Sequence, residues 1–434
     1  MAAEQIIEAR LTYVDGAFAP GVRVQVDAAG RIAAVGPLPQ PPTRRFEGCA
    51  LLPGFVNAHS HAFQRGLRGL GESYPCGVGS FWTWREAMYA LVESLDRAQM
   101  RRLCEQAFVE MLACGITTVG EFHYLHHEDA GALDFAFDDV VIEAAAAVGI
   151  RLVLLASYYR TGGIGRPLAG GQRRFATPSV ARFTEQVDAL QRRVEPRAQS
   201  VAIAPHSVRA VPPEDFIALC REAEARQLPV HVHLEEQRRE VEECVAALGC
   251  SPMEWVLDHV PVGPRFTAIH ATHATPARLQ RWLLAGAGVC LCPITEGNLG
   301  DGIADAPAML AAGGRLCLGT DSNVRLDMLE ELRWLEFAQR LRSESRGVFA
   351  DAAGRLAPRL LESATRCGAA ALGVDAGAIE PGRHADFVAI DLEHPSLAGC
   401  TAETLLAALI LGSGGECVRE VCVGGTWRAV RGDR

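Results

Sequence analysis

Apolar, β-branched runs recur along the chain, and each is followed by a stretch whose apolar residues repeat at helical spacing. Eight runs read as strands: Leu52–Asn57, Ile116–Glu121, Arg151–Ser157, Val201–Pro205, Pro229–Leu234, Phe266–His270, Gly288–Cys292 and Arg315–Thr320. Between them, Leu103, Ala107, Met111 and Leu112 share one helical face, and Gly115 supplies a stop. Arg239, Glu240 and Glu243 mark the wet side of another helix. Continuous apolar strands alternating with helices predict a parallel sheet covered by helices. Eight such units in about 300 residues predict an α/β fold of the (β/α)8 (TIM) barrel type over residues 51–374. The ends follow a different pattern. Residues 1–50 (YVDGAFAPG, GRIAAVGPLP) and 375–434 (HADFVAID, VREVCVGGTWRAV) carry short alternating strands with turn signals. They predict a small β-sandwich domain assembled from both terminal segments.

Composition narrows the class. Of 434 residues, 49% are hydrophobic and 22% charged, which excludes a disordered chain. The first residues, MAAEQIIEARLTYVDG, lack the basic start and apolar stretch of a signal peptide. The longest apolar runs, Ala144 to Val148 and Leu405 to Leu411, are too short to span a bilayer. A cytoplasmic location is expected. The 14 cysteines include no C-x-x-C pair, so most are expected to be reduced core residues. Cys290 and Cys292 alternate on one face of a strand, where buried thiols are expected ahead of a metal site. A formal charge of −10 argues against nucleic-acid or anionic-membrane partners. An anionic substrate would need local arginines.

A (β/α)8 barrel places its chemistry at the C-terminal ends of the strands, and polar residues stand there in this chain. The first strand runs out into PGFVNAHSH, where His59 and His61 are two apart and share a side. The fourth ends at His206, with Arg209 three residues on. The fifth offers His231 and His233, then Glu236; the sixth ends at His270, followed by His273; the eighth ends at Asp321. Three imidazoles and a carboxylate suit a zinc-like divalent ion that leaves a position for water. Such an ion brings the pKa of its water from 15.7 towards about 7. Asp321 can accept a proton from that water. Glu236 is placed to pass a proton to a leaving amine. His270 can polarise the group under attack.

With PGFVNAHSH, HVHLEE, IHATH, GTDS and IEPGRHADFVAID the sequence resembles the amidohydrolase superfamily over nearly its whole length. That late segment resembles the superfamily's returning β-domain. No lysine follows the fourth strand, where binuclear members carry a carboxylated bridge; His206 stands there instead. The resemblance therefore implies the mononuclear, deaminase-like branch. One divalent ion, Zn2+ by expectation, is held by His59, His61, His233 and Asp321, with His270 near the reacting centre. Iron and manganese can share such sites.

The segments HAFQRGLRGL, FWTWREAMY, EFHYLHH, GQRRF, HSVRAV, HLEEQRREVEEC, HATHA and TEGNLGDGI together resemble the formimidoylglutamate deiminase family within that superfamily. This implies hydrolysis of N-formimidoyl-L-glutamate to N-formyl-L-glutamate and ammonia by attack of metal-bound hydroxide, in histidine degradation. Glu236, His270 and Asp321 are then the catalytic residues. By the same resemblance Gln64, Arg85, Tyr124, His206 and Arg209 bind the dicarboxylate substrate, and a homodimer is expected. Guanidinium groups bind carboxylates in bidentate fashion, which agrees with two arginines for a diacid. Asn323 stands where histidine is expected in many close relatives. Two alternatives belong to other classes. One is a mononuclear deaminase of a purine, pyrimidine or triazine base, which would need ring stacking rather than anion clamps. The other is a catalytically dead scaffold, which the full ligand set disfavours.

Overall fold

The computed structural model of the protein describes residues 4–72, 77 and 79–430; the outermost residues of both terminal segments, 1–3 and 431–434, lie outside it. Sixteen strands form two sheets among the described residues. The terminal segments supply β1 (Gln5–Val14), β2 (Ala17–Ala19), β3 (Arg23–Val26), β4 (Ile32–Gly36) and β5 (Arg44–Pro53), then β14 (Phe387–Asp391), β15 (Val418–Val423) and β16 (Thr426–Ala429). The barrel strands between them are β6 (Phe55–Ser60), β7 (Ile116–His123), β8 (Arg151–Tyr158), β9 (Gln199–Pro205), β10 (Val230–Leu234), β11 (Phe266–His270), β12 (Gly288–Leu291) and β13 (Arg315–Leu318).

The barrel strands pair in parallel and in chain order from β6 to β13. Every residue of β7 and β8 is buried, as expected of strands covered on both faces. Helices return the chain each time, with starts set by side-chain caps. Ser179, Ser251, Thr275 and Asp327 each accept a backbone N–H from the first turn. The ring is completed by a parallel bridge between Ser60, at the end of β6, and Asp321, just past β13.

The second sheet is mixed, in the order β16-β15-β14-β5-β1-β3-β4, with β2 on β1. It joins the two terminal segments directly: β14 runs antiparallel to β5, pairing Phe387 with Pro53 and Asp391 with Cys49. Ile7, Val24, Ile32, Phe46, Phe387 and Cys422 share one core, so the sheet curls around its own apolar interior. The β1–β2 hairpin turns at Asp15-Gly16, both with positive φ (50° and 80°), the signature of a two-residue type I′ turn.

The run Leu52–Asn57 divides between the two sheets. Leu52 and Pro53 end β5, and the barrel strand begins only at Phe55. Gly54 stands between, where a Cβ would come 2.1 Å from Thr117 Oγ1. The chain can pass from one sheet to the other there only as glycine. The seventh and eighth strands stop short of Cys292 and Thr320: Pro293 opens the helix Pro293–Leu299, and Gly319 turns the chain against β6. Glu240 is not on the wet side of its helix. It is buried, and its carboxylate accepts the Glu236 N–H at 3.0 Å. No helix among the described residues is long and apolar enough to cross a membrane.

Candidate active site

At the C-terminal end of the barrel, a cleft opens onto His61, His233, His270 and Asp321. Strand geometry puts these side chains inside. His59 and His61 alternate off β6 and its exit; His233 comes from β10, where His231 also lies. His231 is not part of the cluster: its Nε2 donates to the Ala371 carbonyl at 2.9 Å. His270 and Asp321 take left-handed backbone angles (φ 69° and 45°), which L side chains rarely adopt. Backbone pairing holds that strain at Asp321, whose N–H donates to His59 O (3.0 Å) while His61 N–H donates to Asp321 O (2.9 Å). Gly319 permits the approach, since a Cβ there would lie 2.6 Å from His59 Cβ.

His59, His61, His233 and Asp321 are all buried, and their ligand atoms lie within 4.8 Å of one another. His61 Nδ1 donates to the Phe122 carbonyl (2.8 Å) and His233 Nδ1 to the His206 carbonyl (3.0 Å). These bonds fix the tautomers and turn both Nε2 lone pairs inward. There, His61 Nε2 is 3.1 Å and His59 Nε2 3.3 Å from Asp321 Oδ1, and His233 Nε2 is 3.1 Å from His59 Nε2. Burial holds His59 down to about 3 and keeps His233 well below its ordinary value. Burial would raise Asp321, but the hydrogen bonds of His59 and His61 hold it well below the carboxylate range. Lone pairs crowded against a carboxylate without enough protons between them are the arrangement a divalent cation satisfies. The residues therefore fit a divalent ion. The chain contains no lysine, so a carboxylated-lysine bridge cannot form.

Next to this group, His270 Nε2 is 3.8 Å from both Glu236 Oε1 and Asp321 Oδ2. Burial opposes charge on His270, yet Glu236, Glu296 and Asp321 outweigh it and push its pKa up to about 10. Burial raises Glu236. The two glutamates of HLEEQ have separate surroundings. Glu235 is fully buried against Met253 N–H and Arg278, while Glu236 faces the cleft. Cys290 and Cys292 are buried, and burial keeps their thiols well above the ordinary value.

The five residues expected to bind substrate all line the same cleft. Gln64 Nε2 donates to the Tyr124 phenol at 2.7 Å, leaving Gln64 Oε1 buried without a partner. The His206 ring lies 4.5 Å from that of Tyr159. Among the described residues neither Arg85 nor Arg209 makes an ion pair with a carboxylate; Glu240 and Glu236 act on Arg209 from longer range, and no carboxylate, neither Glu86 nor Glu72, offsets Arg85. Both guanidiniums face the indole of Trp82, at 4.4 and 5.9 Å, and Arg239 sits 4.3 Å from the same ring. Asn323 is fully buried away from the cleft. Its Nδ2 donates to Ser60 Oγ (3.0 Å) and its Oδ1 accepts from Thr320 Oγ1 (2.6 Å), pinning the loop after β13 to β6.

Sequence reasoning missed Glu296, which accepts hydrogen bonds from His270 Nδ1 (3.4 Å) and the Cys292 N–H (2.9 Å). Its place just past the seventh strand was the available signal. It also missed Tyr159, which stands one residue past β8 where the strand-end rule applies, and Gln172 and Tyr89, for which it does not.

Three comparisons bear on this site. The chain matches the amidohydrolase family model over residues 50–428. It is 40% identical to a formimidoylglutamate deiminase of Pseudomonas aeruginosa, over 94% of this chain and 91% of that one. The structure of an amidohydrolase from Brucella melitensis superposes with a TM-score of 0.90 at 36% identity, covering 98% of this chain and 95% of the other. An adenosine deaminase from Xanthomonas campestris, with bound zinc, gives a TM-score of 0.81 at 26% identity, covering 98% and 92%. With a parallel eight-stranded barrel, a strand-end quartet of buried donors and these relatives, the chain belongs to the amidohydrolase family, hydrolases of carbon–nitrogen bonds.

Proposed function

We propose that the protein hydrolyses N-formimidoyl-L-glutamate to N-formyl-L-glutamate and ammonia, using one divalent ion, zinc by expectation, held by His59, His61, His233 and Asp321. The observation that carries this reading is the pair of guanidiniums, Arg85 and Arg209, that make no ion pair among the described residues and stand in the cleft that holds the metal-type quartet. A flexible diacid uses both. The relative from Pseudomonas aeruginosa supports the same substrate. The reaction belongs to histidine degradation, and we assign the protein to the cytoplasm as a homodimer.

A divalent ion in the quartet supplies the Lewis acidity that brings water towards deprotonation near neutral pH. Asp321 accepts the proton of the attacking water. Glu236, kept ready to hold a proton by burial, delivers it to the terminal nitrogen of the formimidoyl group. His270, clasped by Glu296, steadies the charge on the carbon's substituents as ammonia leaves and the formyl oxygen remains. Gln64 Oε1 is a free acceptor for an amidine N–H, and Tyr124, Arg85, Arg209 and His206 bind the remainder of the diacid.

A ring deaminase is the second reading, which the Xanthomonas campestris structure keeps in view. It leaves both guanidiniums unused. Ammonia release from N-formimidoyl-L-glutamate, measured beside guanine, cytosine and adenosine on metal-replete protein, tests the choice. Selective turnover of the diacid supports the proposal; turnover of a base with none of the diacid overturns it.

A further inference from the structure

Behind two tyrosines that line the cleft, Tyr89 and Tyr159, lies a buried glutamine that the mechanism does not use. Gln172 lies in the short turn Gly170–Phe175 and is 5% exposed. Its Oε1 accepts the Ala169 N–H at 3.1 Å. Its Nε2 donates to the phenol oxygens of Tyr89 (3.0 Å) and Tyr159 (3.2 Å). This orientation is forced. Reversing the amide would set its NH2 against the Ala169 N–H, donor against donor. There is no slack behind it either, because a methyl on Gly162 would come 2.7 Å from Gln172 Oε1.

Each phenol has a single proton. Once its oxygen accepts from Gln172, that proton must be given elsewhere. Tyr89 and Tyr159 both line the cleft, beside Arg85, whose guanidinium is 5.6 Å from the Tyr89 ring. Tyr89 keeps its proton, since burial pushes it up to about 12. We propose that Gln172 is a positioning residue that locks Tyr89 and Tyr159 as a pair of hydrogen-bond donors for one carboxylate of the substrate. The receptor for that anion is then a guanidinium plus two phenols, rather than an arginine alone. The proposal rests on the diacid reading of the cleft and names the residues that make it selective for a dicarboxylate. A neutral base can accept hydrogen bonds from these donors but brings no full negative charge to the guanidinium beside them.

The test uses metal-replete, full-length protein. Calorimetry gives the affinity for glutarate, and steady-state kinetics give KM and kcat for N-formimidoyl-L-glutamate. Gln172→Leu should weaken glutarate about tenfold, the worth of roughly one hydrogen bond, and raise KM similarly with kcat within about twofold. Gln172→Glu, which reverses the donor direction, should weaken glutarate at least as much. Tyr89→Phe/Tyr159→Phe should reproduce the loss, and adding Gln172→Leu to that pair should cost nothing more, because Gln172 acts through the phenols. Wild-type glutarate affinity in Gln172→Leu overturns the proposal, as does a further loss in the triple variant, which marks a packing role. If thermal unfolding shows that the Gln172 variants do not fold, Tyr159→Phe decides: unchanged glutarate affinity rejects the donor pair. Should wild-type protein bind glutarate in this Gln172-dependent way yet release no ammonia from N-formimidoyl-L-glutamate, the proposed reaction fails while the donor pair stands.

Discussion

At His270 three carboxylates converge on one buried imidazole, and the charge they hold there decides what the neighbouring acid can do. Glu236 is the carboxylate that faces the cleft and is raised by burial, so it is the group suited to carry a proton. Glu236→Gln should cut kcat by at least about a hundredfold, the usual scale of general acid–base assistance. Circular dichroism and metal content should stay normal; near-wild-type turnover in that folded variant would remove Glu236 from the mechanism. Arg209→Ala should act on binding. A lost charge-assisted contact of about 1.5–3 kcal/mol lowers kcat/KM for the diacid roughly 10- to 150-fold, and an unchanged kcat/KM would show that Arg209 is not an anchor. The residues in these predictions were legible in sequence because barrel geometry sends strand ends to one place and histidine is scarce enough to notice there. Gln172 and Glu296 were not. Each acts on another side chain from a different element, Gln172 from the short turn Gly170–Phe175 and Glu296 from the helix Pro293–Leu299, and a glutamine or glutamate there looks like any solvated residue until the fold closes over it.

Among elements, the close approach of β6 and β13 matters most, because it brings His59 and His61 to Asp321. Gly319 sets that spacing. A methyl there meets the β6 backbone, which cannot move aside as a side-chain tip can. Gly319→Ala should cost about 1–3 kcal/mol of stability and weaken metal binding, with both read from denaturant unfolding and metal titration; a variant with wild-type metal affinity would show that the strands have room to part. The strand pattern itself was readable from apolar periodicity, and seven of the eight barrel strands begin within two residues of their apolar runs. The first was misjudged for a physical reason. Leu51, Leu52, Phe55 and Val56 are all fully buried, so nothing in their polarity marks the point where one sheet hands the chain to the other. Glu240 misled for the opposite reason: a charged residue on a helix reads as wet, whereas this one lines the cleft and accepts the Glu236 N–H.

For the whole molecule, the joint between barrel and terminal sheet is packed with apolar side chains, Leu52, Val388 and Val421 among them, and pinned by a buried ion pair. Arg151, at the start of β8, holds Asp386 by two bonds (2.8 and 3.0 Å), and Asp386 also accepts the Gly424 N–H at 2.7 Å. Asp386→Asn should destabilise by about 3–5 kcal/mol, since Arg151 would be left buried and unmatched; a change under 1 kcal/mol in denaturant unfolding would mean that the joint is held by packing alone. Burial would raise the Asp386 pKa, but Arg151 lowers it below 3.8. Its contribution is therefore complete above the unfolded value of about 3.9 and is lost as pH falls through the lower folded value. Wild-type stability should drop in that acid window, and the Asn variant should lack this component. Chelation offers another check. Removing an ion present at a thousandfold its Kd should cost about 4 kcal/mol and abolish turnover, with zinc restoring both; full activity in metal-free protein would rule out the metal reading. The pairing of β5 with β14 also sets an order of events during synthesis. Pro53 waits for Phe387, so a nascent chain can close its barrel while the curled sheet still lacks its central neighbour. Until that strand leaves the ribosome, β5 presents an open edge beside the Gly54 crossing, and a ribosome stalled in between would hold a barrel whose apolar flank is bare to chaperones and to other nascent chains.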